Sequence, residues 1–156
     1  MVRSTKNGTK ATSGRIPSVA RSDLQRARFG AYFPRVFACA HSLTGDETAA
    51  REAVIEAFSR AFAHPADLND REFVNLLFAT ARDLCRSASP SQSDGDLSGR
   101  ELELLALLFD ARLTREEVSR LMRTSEQALS SALLGALRKI RASLPAASGK
   151  ATLRPA

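Results

Sequence analysis

Apolar residues along this chain recur every three to four positions, and nowhere do they alternate for long. Phe29, Tyr32, Phe33, Val36, Phe37 and Ala40 make one such stripe. Ala50, Ala53, Val54, Ala57, Phe58, Ala61 and Phe62 make a second, and Phe73, Leu76, Leu77, Thr80, Ala81 and Leu84 a third. That spacing places each set on one face of an α-helix, whereas a strand would need a period of two. The breaks carry turn chemistry. Gly45 supplies a turn, with Thr44 or Asp46 as the next N-cap. Pro65 ends the second stripe, and "DLNDREF" starts the third.

Residues 88–96, "ASPSQSDGD", have no large apolar side chain and read as a flexible linker. Beyond them, Ser98 with Glu101 and Thr114 with Glu117 each match the S/T-x-x-E capping box, in which side chain and backbone satisfy each other at a helix start. Ser125 is positioned to cap one further helix, which Pro145 follows. The pattern therefore predicts an all-α chain of two small helical domains, 23–87 and 97–144, joined by the 88–96 linker. Residues 1–22 and 145–156 are expected to be flexible tails, because they cannot bury enough apolar surface to offset ordering entropy. Within 113–141 two helices meet at a short corner, the outline of a helix-turn-helix.

Charge narrows the functional classes. Of 156 residues, 23 are Lys or Arg and 17 are Asp or Glu, for a net charge of +6. The two tails hold seven of the basic residues and none of the acidic ones, so 23–141 carries 16 positive charges against 17 negative. Any nucleic-acid contact by the helical part must then come from local patches, not from a bulk field. Cys39 and Cys85 are far apart in sequence, no Cys/His cluster accompanies them, and the Cys39–His41 spacing points the two side chains apart on a helix. They read as small buried hydrophobes, with no metal site. No paired carboxylates, Ser/His or Cys/His arrangement or phosphate-cradling glycine loop occurs, so neither an enzyme nor a cofactor is expected. With no apolar run of membrane-spanning length and no secretory h-region, the expectation is a cytoplasmic protein without membrane insertion.

Three stretches in order then resemble the extracytoplasmic-function (ECF) sigma factors of bacterial RNA polymerase. "LTGDETAAREAVIEAFSRAF" matches a family segment at Leu43, Thr44, Gly45, Asp46, Ala50, Glu56 and Phe58. "LLFATARDLCR" follows where the family has a tryptophan-bearing helix. "LFDARLTREEVSRLMRTSEQAL" matches the helix-turn-helix at Leu113, Thr114, Glu117, Val118, Leu121, Met122, Ser125 and Leu129. The resemblance covers about residues 24–144. It implies core RNA polymerase and promoter DNA as partners, with an anti-sigma factor as a further one. The first domain would grip the polymerase clamp through residues about 46–62, with Glu52, Ile55, Glu56 and Arg60 as the contact set. Arg82 and Arg86 would touch the downstream promoter element, and the last helix would lie on the upstream element.

This sequence departs from the family where it would read DNA. On the last helix, Ala128, Leu129, Ala132, Leu133, Ala136, Leu137 and Ile140 are expected to be buried. Gln127, Ser130, Ser131, Leu134, Arg138 and Arg141 would then be outward, and Ser130, Ala132, Gly135 and Leu137 stand where the family usually carries Lys or Arg. Each bidentate contact of that kind is worth about 1–3 kcal/mol of base discrimination. Gln127 remains suited to adenine, Ser130 or Ser131 to a phosphate, and Arg138, Lys139 and Arg141 to backbone contacts. On the third helix Leu76 and Asp83 replace the usual Trp and Asn. Ile55 stands where the family has Gln, and Glu52, Glu56 and Arg60 equally suit a solvated face with i,i+4 pairing. Two readings follow: a sigma factor directing initiation, or a sigma-like protein that has lost promoter reading and acts as a decoy or modulator of polymerase or an anti-sigma factor. Both expect two lobes held apart for simultaneous engagement. A single continuous interior enclosing Gln127 and Ser130 would end that picture.

Overall fold

A computed structural model describes residues 18–64, 67–88 and 97–144, and every regular element among them is helical. The elements are α1 (Ser18–Thr44), α2 (Glu47–Phe62), α3 (Asp70–Ala88), α4 (Gly99–Leu105), a π-helical turn (Ala106–Asp110), α5 (Arg115–Met122) and α6 (Glu126–Ser143). The all-α expectation holds. Residues 18–22, expected in the tail, instead form the first turns of α1. Val19 there is largely exposed, so these turns continue the helix beyond Asp23 without burying an apolar face. The expected tail segments 1–17 and 145–156 and linker residues 89–96 lie outside the described residues.

The local signals explain where helices begin. Asp46, rather than Thr44, caps α2: its side chain accepts from the Ala49 amide at 2.7 Å, and Gly45 before it takes φ +67°. Thr44 is buried and its hydroxyl donates to the Ala40 carbonyl. Asn69 and Glu72 satisfy each other's amides at the start of α3. Both expected capping boxes, Ser98/Glu101 and Thr114/Glu117, are fully formed, and Ser125 caps α6. The corner between α5 and α6 rests on Arg123 at φ 50°, a left-handed conformation that is uncommon without glycine. The Ser119 hydroxyl steadies it by donating to the Thr124 carbonyl, while the Thr124 amide returns a bond to Ser119 at 3.0 Å. Inside α1, Pro34 removes the bond that its nitrogen would give to the Gly30 carbonyl.

Helices α1, α2 and α3 pack on one another around Val36, Val54, Phe73, Leu77 and Phe78, all almost fully buried. An aromatic chain lines this bundle: Phe29 lies 4.9 Å from Phe58, Phe58 5.5 Å from Phe62, and Phe62 5.6 Å from Phe73.

The second helical module does not stand apart. Its π turn packs on α1 and its α5 on α3, and Leu104, Leu107, Val118, Leu121 and Leu129 join the same buried cluster as Val36 and Leu77. The expectation of two lobes held apart is thus corrected. Fewer than 50 residues enclose little core by themselves, and Leu107 and Ala111 reach complete burial in a cluster that runs on into α1. Polar contacts join the modules as well. The Arg35 guanidinium donates to the carbonyls of Ala111 (2.7 Å) and Arg112 (3.1 Å), and Arg71 pairs with Glu116 at 2.7 Å. The shared interior stops short of the last helix's outer face: Gln127 is exposed and Ser130 partly so.

Candidate nucleic-acid and protein interface

Helix α6 buries a narrower stripe than its sequence suggests. Leu129 and Ala136 are buried, Leu133 and Ile140 half-buried, while Ala128 and Ala132 are exposed. Leu137, expected inside, is 41% exposed, and Leu134 is 55% exposed. The reason is that α6 packs mainly on α4 and α5, which leaves its outer face uncovered. At 100° per residue, Gln127, Ser131, Leu134, Arg138 and Arg141 fall on one uncovered side together with Leu137 and Ser130. The Ser131 hydroxyl is turned back to the Gln127 carbonyl at 3.1 Å. Lys139 lies on the opposite flank and is held by Glu101 at 2.8 Å. That ion pair, with the Ser98 cap bonds, pulls the Glu101 carboxyl down to about 2. Lys139 is therefore separated from Arg138 and Arg141, which have no ion pair among the described residues.

The proposed polymerase-facing residues share the outer surface of α2. Ile55 is 54% exposed, an isolated apolar side chain among charges. Glu56 and Arg60 pair with each other at 2.7 Å, as do Glu47 and Arg51. Glu52 is exposed beside them. Exposed i,i+4 pairs of this kind add only a few tenths of a kcal/mol, so this face is not held together for stability.

Arg82 and Arg86, expected on DNA, are placed differently. Both reach from α3 to Glu103 on α4, a side chain only 4% exposed. Arg86 hydrogen-bonds Glu103 Oε2. Arg82 Nε lies 3.2 Å from Oε1, close enough to pair but off the line of a hydrogen bond, so that oxygen is buried without a donor. Arg82 also donates to the Leu121 carbonyl at the end of α5 and faces Asp83. Glu103 is not among the residues expected at the site. Its signal was an acidic residue four positions before Leu107, on the same helical face as the core, where an unpaired charge is costly.

Cys39 and Cys85 are both buried, as expected. Burial pushes the Cys39 thiol up to about 12, helped by the negative charges of Cys85, Asp110 and Glu103, and burial pushes Cys85 up to about 11. Asp110 and Glu103 belong to the second module, whose π turn packs on α1, the helix that carries Cys39. Among the described residues no group of His, Cys, Asp and Glu is placed to hold a metal ion, and no helix is long and apolar enough to cross a membrane. No family model matches the chain, and no curated protein matches it.

Proposed function

We propose that this chain is a sigma-like transcription initiation factor, binding core RNA polymerase through the α2 face and promoter DNA through a helix-turn-helix made of α5 and α6. The observation that carries this reading is the uncovered side of α6, opened by a serine cap after a three-residue corner, with Gln127, Arg138 and Arg141 outward. Such a helix can lay its N-terminal residues against base edges while later cations meet phosphates. The resemblance of the three ordered motifs to ECF sigma factors supplies the polymerase. Ile55, exposed amid charges, supplies an apolar anchor of the type buried at protein interfaces.

A second reading, a sigma-like modulator that binds a protein instead of a promoter, is favoured by Leu134 and Leu137 on the same side of α6. Leucine offers nothing to a phosphate and suits a partner helix. Co-elution with purified core polymerase tests the polymerase contact. The full chain is expected to elute with core, and Ile55→Glu, a surface change that leaves the interior intact, to elute alone. Elution of the unaltered chain apart from core sinks the polymerase reading.

A further inference from the structure

The clasp between α3 and α4 suggests how DNA access is controlled, an inference that rests on the initiation-factor reading above. We propose that Glu103 occupies, within the chain itself, the place of a DNA backbone phosphate between Arg82 and Arg86. DNA gains that site only when the second module moves and withdraws the carboxylate.

Three observations support this. The two arginines stand one helical turn apart on α3 and address different oxygens of one carboxylate, Arg82 at Oε1 and Arg86 at Oε2. Two guanidiniums around two anionic oxygens are equally the geometry of phosphate recognition. The carboxylate is also a poor stabilising device. It is almost wholly buried, and Oε1 lacks a hydrogen-bond donor. A buried ion pair left incomplete is commonly worth no more than apolar residues of the same volume. Lastly, Arg86 is 58% exposed while Arg82 is 15% exposed, so the site sits at the rim of the contact between modules, where a backbone can enter once Glu103 leaves. Asp83 beside Arg82 opposes a phosphate, and its exposed carboxylate limits the gain to nonspecific backbone binding. The other polar links across the contact, from Arg35 to the Ala111 and Arg112 carbonyls, from Arg71 to Glu116 and from Arg82 to the Leu121 carbonyl, can be exchanged for water, so the apolar packing of the π turn on α1 is the main cost of opening.

The experiment compares the full chain with Glu103→Gln, titrating each with a duplex oligonucleotide of arbitrary sequence at 50 and 200 mM salt. Labelling of Cys39 and Cys85 by a thiol reagent follows the opening of the modules. Glu103→Gln is expected to label faster and to bind duplex at least about ten-fold tighter at the lower salt. Two added phosphate contacts contribute about 0.9 each to the log–log salt slope, so an advantage gained at 50 mM shrinks about ten-fold by 200 mM if the unaltered chain binds without opening. Adding Arg82→Gln and Arg86→Gln to Glu103→Gln is expected to erase the gain. Arg35→Gln, which loosens the second module without touching the clasp, is expected to shift labelling and affinity in the same direction, and it carries the test where Glu103→Gln does not fold. A folded variant with unchanged duplex affinity, unchanged labelling, or a gain that survives loss of both arginines overturns the proposal. None of these readouts involves polymerase, so failure here leaves co-elution with core intact, and failure of co-elution sinks only the functional reading.

Discussion

Leu107→Ala tests the shared interior at its most enclosed point. Leu107 lies in the π turn of the second module, is fully buried, and its carbonyl accepts from the Leu113 amide at 3.1 Å. Removing three carbons from a site without solvent access forfeits their transfer energy and leaves a cavity that packed helices close only in part. Measured costs run about 2–5 kcal/mol, and complete burial places this site near about 3 kcal/mol. With a urea dependence of about 2 kcal/mol per molar, the midpoint falls by about 1.5 M. The assay exploits an accident of composition: the chain has one tyrosine, Tyr32, and no tryptophan. Tyr32 sits on α1 beside Phe73, at a ring distance of 6.0 Å, so its fluorescence reports on the first module while the mutation lies in the second. One interior requires the Tyr32 transition to move with the loss of helical circular dichroism, by the same amount. A Tyr32 midpoint unchanged by Leu107→Ala, with only part of the helix signal shifted, refutes the continuous core.

Other expectations can be checked separately. Thr114→Ala removes the cap of α5 and is expected to cost about 1 kcal/mol in denaturant unfolding. The Glu101 carboxyl is depressed to about 2 by Lys139 and the Ser98 cap, so its contribution to stability is present in full above the ordinary carboxylate value near 4.5 and is lost as pH falls toward 2. Lys139→Met should raise the Glu101 titration midpoint toward that ordinary value when followed by NMR. The two thiols, raised from about 9 to about 12 and about 11, should stay unmodified in the native chain at pH 8. Through the same shifts, the fold should be fully supported by these groups below pH 9 and lose that support as pH rises through 11 to 12. Leu134→Arg separates the two readings of α6. Stronger duplex binding with a salt slope steeper by about 0.9 supports a DNA-facing side, and unchanged binding supports a protein-facing one.

Much of the local architecture was legible in the chain. Both capping boxes fell on the helices that Ser98 and Thr114 announced, and the apolar stripe of α2 is the buried one apart from half-buried Phe62. These are local effects, satisfied within four residues. On α3 the expected stripe is rotated: Phe73, Leu77 and Ala81 are buried, but Val74, Phe78 and Cys85 fill the core in place of the half-buried Leu76, Thr80 and Leu84. Tertiary consequences were not legible. The Ser/Pro composition of residues 88–96 says that the chain can bend there, not whether the flanking modules touch. Their contact depends on matching surfaces contributed by Val36, Cys39 and Leu107, which sequence spacing does not relate. Arg82 and Arg86 were recognised as a pair of cations, but their destination required knowing that Glu103 faces inward. Leu137 was assigned to the core from its period, although α6 has packing partners on one side only. The π turn at Ala106–Asp110 left no mark in the sequence, since its extra residue per turn is fixed by the Ala111 amide bonding to the Ala106 carbonyl at 2.9 Å.

The most direct measurement of the proposed function is transcription reconstituted from purified parts: core RNA polymerase, this chain and the DNA upstream of its own gene. A discrete transcript that core polymerase alone does not make, and that Ile55→Glu abolishes, is the predicted result. Transcription no different from core alone, with the folded chain present in excess, contradicts it.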